Sequence, residues 1–84
     1  MRNEIYLYFE TVCYYSDEAA CYDFHLLVSE ECPWVVEWGD GARKRYVGTG
    51  EWQFASHAFQ YYGVQSIHIF AEDEGDILGF KSGG

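Results

Sequence analysis

The chain has 84 residues, with fourteen Asp or Glu against five Lys or Arg and a formal net charge of −9 at pH 7. That length supports a single domain, 1–84, around one core, and the charge repels a phosphate backbone, so nucleic acid is excluded as an expected partner. Hydrophobic residues make up 49% and aromatic residues 20% of the chain, which excludes disorder, and no run approaches the roughly 20 apolar residues of a membrane helix.

Residues Glu4 to Val12 alternate, with Ile5, Leu7 and Phe9 on one side and Tyr6, Tyr8 and Glu10 on the other, which predicts a half-buried strand. The stretch Tyr14 to Tyr22 loses that alternation and reads as a long connecting loop, with Ser16 or Asp17 available to cap one helical turn. Phe24, Leu26 and Val28 resume period two as a second strand. Pro33 opens a third, in which Trp34, Val36 and Trp38 alternate. Gly39-Asp40-Gly41 then supplies the positive φ angles of a tight turn, with the Asp40 side chain bonding nearby backbone N–H groups, and Arg43 to Val47 forms the return strand. Residues Glu51 to Tyr62 fit an irregular crossover anchored by Trp52, Phe54, Phe59 and Tyr62 better than a short helix. Val64 to Ala71 is a clear strand, Asp73-Glu74-Gly75-Asp76 a turn, Ile77 to Phe80 a last short strand, and 82–84 a fraying tail. About six short strands separated by turn signals make the expected fold class all-β, an antiparallel sandwich or barrel.

Cys13, Cys21 and Cys32 are odd in number and spaced too widely for a zinc site, leaving buried thiols or one disulfide. No nucleophile elbow, phosphate-binding glycine loop or His-x-x-x-His is present, so no enzyme is expected and no catalytic residue is assigned. His25 and His68 alternate with strand residues and are expected at partly exposed β positions. The N-terminus lacks the basic-then-apolar layout of a signal peptide.

The segment Val35-Val36-Glu37-Trp38-Gly39-Asp40-Gly41, followed by Ser56-His57-Ala58-Phe59-Gln60-Tyr61-Tyr62-Gly63-Val64-Gln65-Ser66-Ile67-His68-Ile69, resembles the polycystic-kidney-disease (PKD) domain over residues 35–73. That family carries an aromatic residue before Gly-Asp-Gly, then His-x-Tyr, a short turn, a glycine and an alternating apolar strand. Trp38, Gly39, Asp40, Gly41, His57, Phe59, Gly63, Ile67 and Ile69 fill those positions, with Phe59 standing where the family has tyrosine. Residues 1 to 34 match no part of the pattern. The resemblance implies a seven-stranded immunoglobulin-like sandwich, in which His57 packs beside the Gly39-Asp40-Gly41 turn. It also implies an extracellular or cell-surface setting rather than the cytoplasm, as in surface proteins of gut bacteria.

The resemblance further implies a spacer, adhesion or ligand-binding role, with a protein or a glycan as the partner. Some members bind calcium, for which Asp73 and Asp76 are the weak candidates, although Glu72, Asp73, Glu74 and Asp76 lack EF-hand spacing and read as a solvated turn. No other cofactor or metal is expected. Tyr14, Tyr15, Tyr22, Tyr61 and Tyr62, with Trp34 and Trp52, exceed what one small core hides, and the five tyrosines are the candidate aromatic binding surface. The rival expectation is an acidic inhibitor or immunity-type protein that meets a basic partner through its net charge.

Overall fold

The alternation of apolar and polar residues resolves into strands throughout the described residues 3–11, 20–59, 63–72 and 75–82 of the computed structural model, the side chains of Phe9, Thr11 and Ala20 excepted. Seven strands form: β1 (Glu4–Thr11), β2 (Ala20–Val28), β3 (Pro33–Glu37), β4 (Arg43–Val47), β5 (Trp52–Phe59), β6 (Gly63–Ala71) and β7 (Ile77–Ser82). All pairings are antiparallel, in a four-stranded sheet of order β1-β6-β3-β4 and a three-stranded sheet of order β5-β2-β7. Of the sandwich and the barrel that the alternation allows, the all-β sandwich is the observed architecture. Its terminal strands take an unusual place: β1 lies beside β6 and β7 beside β2, whereas the constant immunoglobulin order sets the first strand beside the second and the seventh beside the sixth.

The core lies between the sheets. Phe24, Leu26 and Val28 of β2 meet Trp34 and Val36 of β3 and Ile67, Ile69 and Ala71 of β6, with Trp38, Ala55 and Phe59 closing one end. Phe24 is fully buried and sits within about 6 Å, centroid to centroid, of the rings of Trp34, Trp38 and Phe80. Val35 points to the outer face yet is 1% exposed, flanked by its register partners Phe70 and Arg45.

Two stretches depart from the sequence expectation. Residues 52–59 form a regular strand, not an irregular crossover. Its alternation is inverted: the large Trp52 and Phe54 face solvent, while the small Ala55 faces the core opposite Phe24, whose ring takes the available volume. Period-two burial is thus present in β5, at Gln53, Ala55, His57 and Phe59, of which only Phe59 is large and apolar. Tyr22 belongs to β2, which begins at Ala20, and not to the preceding loop.

Glycines allow close approaches at both ends of the sandwich. At one end Cys32 is buried with its Sγ 3.3 Å from the carbonyl oxygens of Pro33 and Glu72, and a Cβ at position 75 would stand 1.7 Å from that sulfur. Cys21 is exposed and Cys13 lies outside the described residues. At the other end Gly39 and Gly41 both have φ of +93°, the left-handed conformation that an L side chain strains to adopt. Gly39 carries a second constraint: a Cβ there would fall 2.5 Å from the Ser66 carbonyl oxygen, because the turn crosses directly over β6, whereas a Cβ at 41 meets nothing within 4 Å. Gly41→Ala should therefore lower stability by about 1 kcal/mol, from backbone strain alone. Gly39→Ala adds a backbone collision and should lower it by roughly 3 kcal/mol or more. Urea denaturation of the two variants measures the difference, and equal losses would remove the close crossing at Ser66 as a constraint.

Candidate functional site

Several of the residues that carry the resemblance, Trp38, the Gly39-Asp40-Gly41 turn, His57 and Phe59, converge on one node. Trp38 follows β3, and its N–H donates to the Ala42 carbonyl at 3.0 Å, closing the Gly39-Asp40-Gly41 turn. Asp40 Oδ1 accepts from the Ala42 N–H at 3.0 Å, the local bond expected of a turn aspartate. Asp40 Oδ2 accepts from His57 Nε2 at 2.7 Å, and His57 projects inward from β5, in the opposite sheet. The His57 ring lies parallel to Trp38 at 4.9 Å and meets Phe59 edge-on at 4.8 Å. Trp38 and Phe59 are each 2% exposed. Gly63 opens β6 with φ of +118°.

Burial of Asp40 by itself pushes its carboxyl pKa up. The hydrogen bonds from His57 and the Ala42 N–H, together with the His57 charge, outweigh that effect and hold the carboxyl below its ordinary value. With its Nε2 engaged and rings packed against it, His57 acts here as a clamp between the sheets.

Of the five candidate tyrosines, Tyr14, Tyr15, Tyr61 and Tyr62 lie outside the described residues. Tyr22 is half-buried on the inner side of β2, packs near Phe24 and shares a 2.7 Å hydrogen bond with Ser82 Oγ. Trp34, counted among the surplus rings, is fully buried; it stacks on Tyr46 at 4.3 Å and donates its Nε1–H to Gln53 Oε1 at 3.0 Å. Asp73 lies outside the described residues. Asp76 enters a backbone exchange with Ser29, accepting from its N–H and donating to its Oγ, both at 3.1 Å. Among the described residues no three His, Cys, Asp or Glu side chains group as a metal site.

The exposed rings stand on the outer sheet faces. On the four-stranded sheet the register aligns Tyr6, His68, Glu37 and Arg43 in one row across all four strands. Tyr6 is 63% exposed and Tyr8, two residues on, 76%. Tyr6 stacks flat on His68 at 4.3 Å with 4° between planes, and His68 Nδ1 lies 3.2 Å from Glu37 Oε1. His68 Nε2 is 3.4 Å from Glu4 Oε1, near enough for charge attraction but not aligned as a hydrogen bond. Beside this row an open groove of about 390 Å³ runs between the Gly39–Ala42 turn and the side chains of Glu37, Arg43, Ser66 and His68. On the three-stranded sheet the Trp52 ring lies across Gly79, where a Cβ would be 2.7 Å from its nearest ring atom, and Lys81 Nζ sits 4.2 Å over the indole. Phe54 packs beside His25 at 5.0 Å. Alternation in the sequence had already placed Tyr6 and Tyr8 on the outward side of β1, so a count of outward rings on the strands would have found this surface.

The Asp40 carboxylate contributes stability in full above the ordinary carboxylate pKa of 3.8, and that contribution is lost as pH falls through the lower folded-state value. Asp40→Asn keeps an amide oxygen for the Ala42 N–H but cannot titrate. Its melting temperature should be lower than wild type at neutral pH, by the equivalent of about 1–3 kcal/mol, and the gap should close in strong acid. A constant gap from neutral to acid pH, followed by circular dichroism, would contradict the ion-paired clamp.

Compared with known proteins, the chain matches no family model, no curated protein and no solved structure.

Proposed function

We propose that this chain is a non-catalytic binding, adhesion or spacer module of PKD-like kind, from a bacterial surface or secreted protein, which holds a protein or glycan ligand on its exposed aromatic surface. The observation that supports this reading most is the outward row of rings on β1 and β6. Tyr6, His68 and Phe70 stand next to one another on a sheet face, with Tyr8 two residues along from Tyr6. Rings preorganised by stacking lose little entropy on contact, and Tyr unites a large apolar face with a hydroxyl, which suits both protein interfaces and sugar faces. Glu37, Arg43 and Ser66 in the adjoining groove supply hydrogen-bond donors and acceptors beside those rings. A surface so arranged binds through contact and orientation, with no activated nucleophile required.

The formal charge of −9 favours a second reading, an acidic inhibitor of a basic partner. Ionic strength separates the two. A ligand captured from cell-wall glycan or from lysate should bind the double variant Tyr6→Ser, Tyr8→Ser, or else Phe54→Ser, at least about tenfold more weakly, with modest sensitivity to salt. Full affinity in both variants, combined with loss of binding in high salt, would replace the aromatic module with the inhibitor.

A further inference from the structure

The two ends of the four-stranded sheet differ in charge. Strand β4 carries Arg43, Lys44 and Arg45, three of the chain's five cationic side chains, and Arg45 pairs with Glu72 at 2.9 Å. Charged side chains of this kind blunt an edge against strand addition. Strand β1, at the opposite end, carries no cation; its outward residues are Glu4, Tyr6, Tyr8 and Glu10. In the other sheet, the outward residues of β5 are the uncharged Trp52, Phe54, Ser56 and Ala58, and β7 pairs with a register shift at Leu27/Val28.

Backbone geometry makes the β1 edge a usable template. Ala71 N donates to Asn3 O at 2.8 Å, so residues 3 and 71 form a hydrogen-bonded pair. In an antiparallel ladder such pairs alternate with non-bonded ones, so Ile5 and Leu7 turn their N–H and C=O groups toward β6. Glu4, Tyr6, Tyr8 and Glu10 turn theirs to the open side. Among the described residues no second strand pairs with β1, so the same four residues offer backbone groups along the edge and side chains on the outer face. The stacking of Tyr6 on His68 fixes which ring face is available. Their 4.3 Å separation is close to the spacing of neighbouring strands, so the two rings stand side by side on the sheet, and the second face of Tyr6 is turned toward the open side of β1.

We infer that β1 is the docking edge for an extended basic peptide segment of a partner protein, which adds as a further antiparallel or parallel strand and sets Arg or Lys side chains at alternate positions over Tyr6 and Tyr8, between Glu4 and Glu10. Main-chain hydrogen bonds supply affinity and the alternate side chains supply selection, the mode of recognition by strand addition. Cation–π contact rewards a cation over each tyrosine, and the carboxylates of Glu4 and Glu10 at the two ends complement it locally. A glycan uses none of the open backbone row, and an acidic segment is repelled.

This names a partner for the binding module and rests on that reading. The probe is a short synthetic peptide alternating Arg with Thr, compared with one alternating Glu with Thr, each titrated by fluorescence anisotropy. Wild type should bind the Arg peptide and not the Glu peptide. Tyr8→Pro removes an outward N–H while sparing the bonds to β6, and it leaves the charge unchanged, so attraction to net charge alone survives in it. The Arg peptide should bind Tyr8→Pro about tenfold more weakly than wild type, and more weakly than Tyr8→Ser, which keeps the N–H. Amide hydrogen exchange tests the edge without substitution: bound peptide should slow Tyr6, Tyr8 and Glu10 and leave Ile5 and Leu7 as they were. Equal binding by wild type and Tyr8→Pro, or no added protection at Tyr6 and Tyr8, overturns the edge. If the aromatic variants still lose a captured ligand in that case, the module stands and only its basic partner falls.

Discussion

The contact from His57 to Asp40 is the interaction on which the rest of the arrangement depends. A hydrogen bond of 2.7 Å joins a turn of one sheet to an inward residue of the other, with Asp40 only 8% exposed on its side chain. Burying a carboxylate without partners costs several kcal/mol, so its position at the end of the core requires the two donors it has found, the imidazole N–H and the Ala42 N–H. Those donors exist only if the turn bends as it does. The bend exists only because Gly39 and Gly41 adopt positive φ and because Gly39, lacking a Cβ, passes over the backbone of Ser66. Trp38 then lies against His57 and Phe59, and the end of the core is sealed by rings instead of by a loop.

The same turn positions the outer face. Because it crosses β6 at Ser66, its backbone forms one wall of the groove whose other side is built by Glu37, Arg43 and His68. The clamp faces inward and the groove outward, and the two share Gly39. The placement of β1 beside β6 adds Tyr6 to the row at His68, so the stacked pair depends on the exchanged order of the terminal strands. In the constant immunoglobulin order the first strand lies beside the second, and Tyr6 and His68 would belong to different sheets.

The strands were legible wherever large apolar residues faced inward. Ile67, Ile69 and Ala71, or Phe24, Leu26 and Val28, announce their face by size, and the glycines at 39 and 41 announce the turn between β3 and β4. Strand β5 was illegible for a physical reason: of its core positions Gln53, Ala55, His57 and Phe59 only the last is large and apolar, while Trp52 and Phe54 point out. Pairing Ala55 with Phe24 satisfies packing across two strands, and a reading of one strand at a time has no access to that complement. The clamp was half legible. Asp40 reads as a turn former from its flanking glycines, the packing of His57 beside that turn came only with the resemblance, and the bond itself, across seventeen residues, came from the structure. The topology was not legible, because alternation identifies strands without saying which neighbours they choose.

The exposed rings follow from the limits of the core. Between the sheets, Phe24, Trp34, Trp38 and Phe59 already bring large rings into a small volume, and Ala55 and Ala71 show how much of the remaining wall must be small to admit them. Further rings have no place inside a domain of this size and are turned outward. Three of them are not left as bare area. Trp52 covers Gly79 beneath Lys81, Phe54 leans on His25, and Tyr6 lies on His68, which is itself held between Glu37 and Glu4. A polar or charged partner at each ring lowers the tendency to aggregate while fixing the ring's attitude. The outer faces are therefore ordered by these contacts, and the β1 edge, which no second strand among the described residues covers, lies beside the face with the most exposed tyrosines.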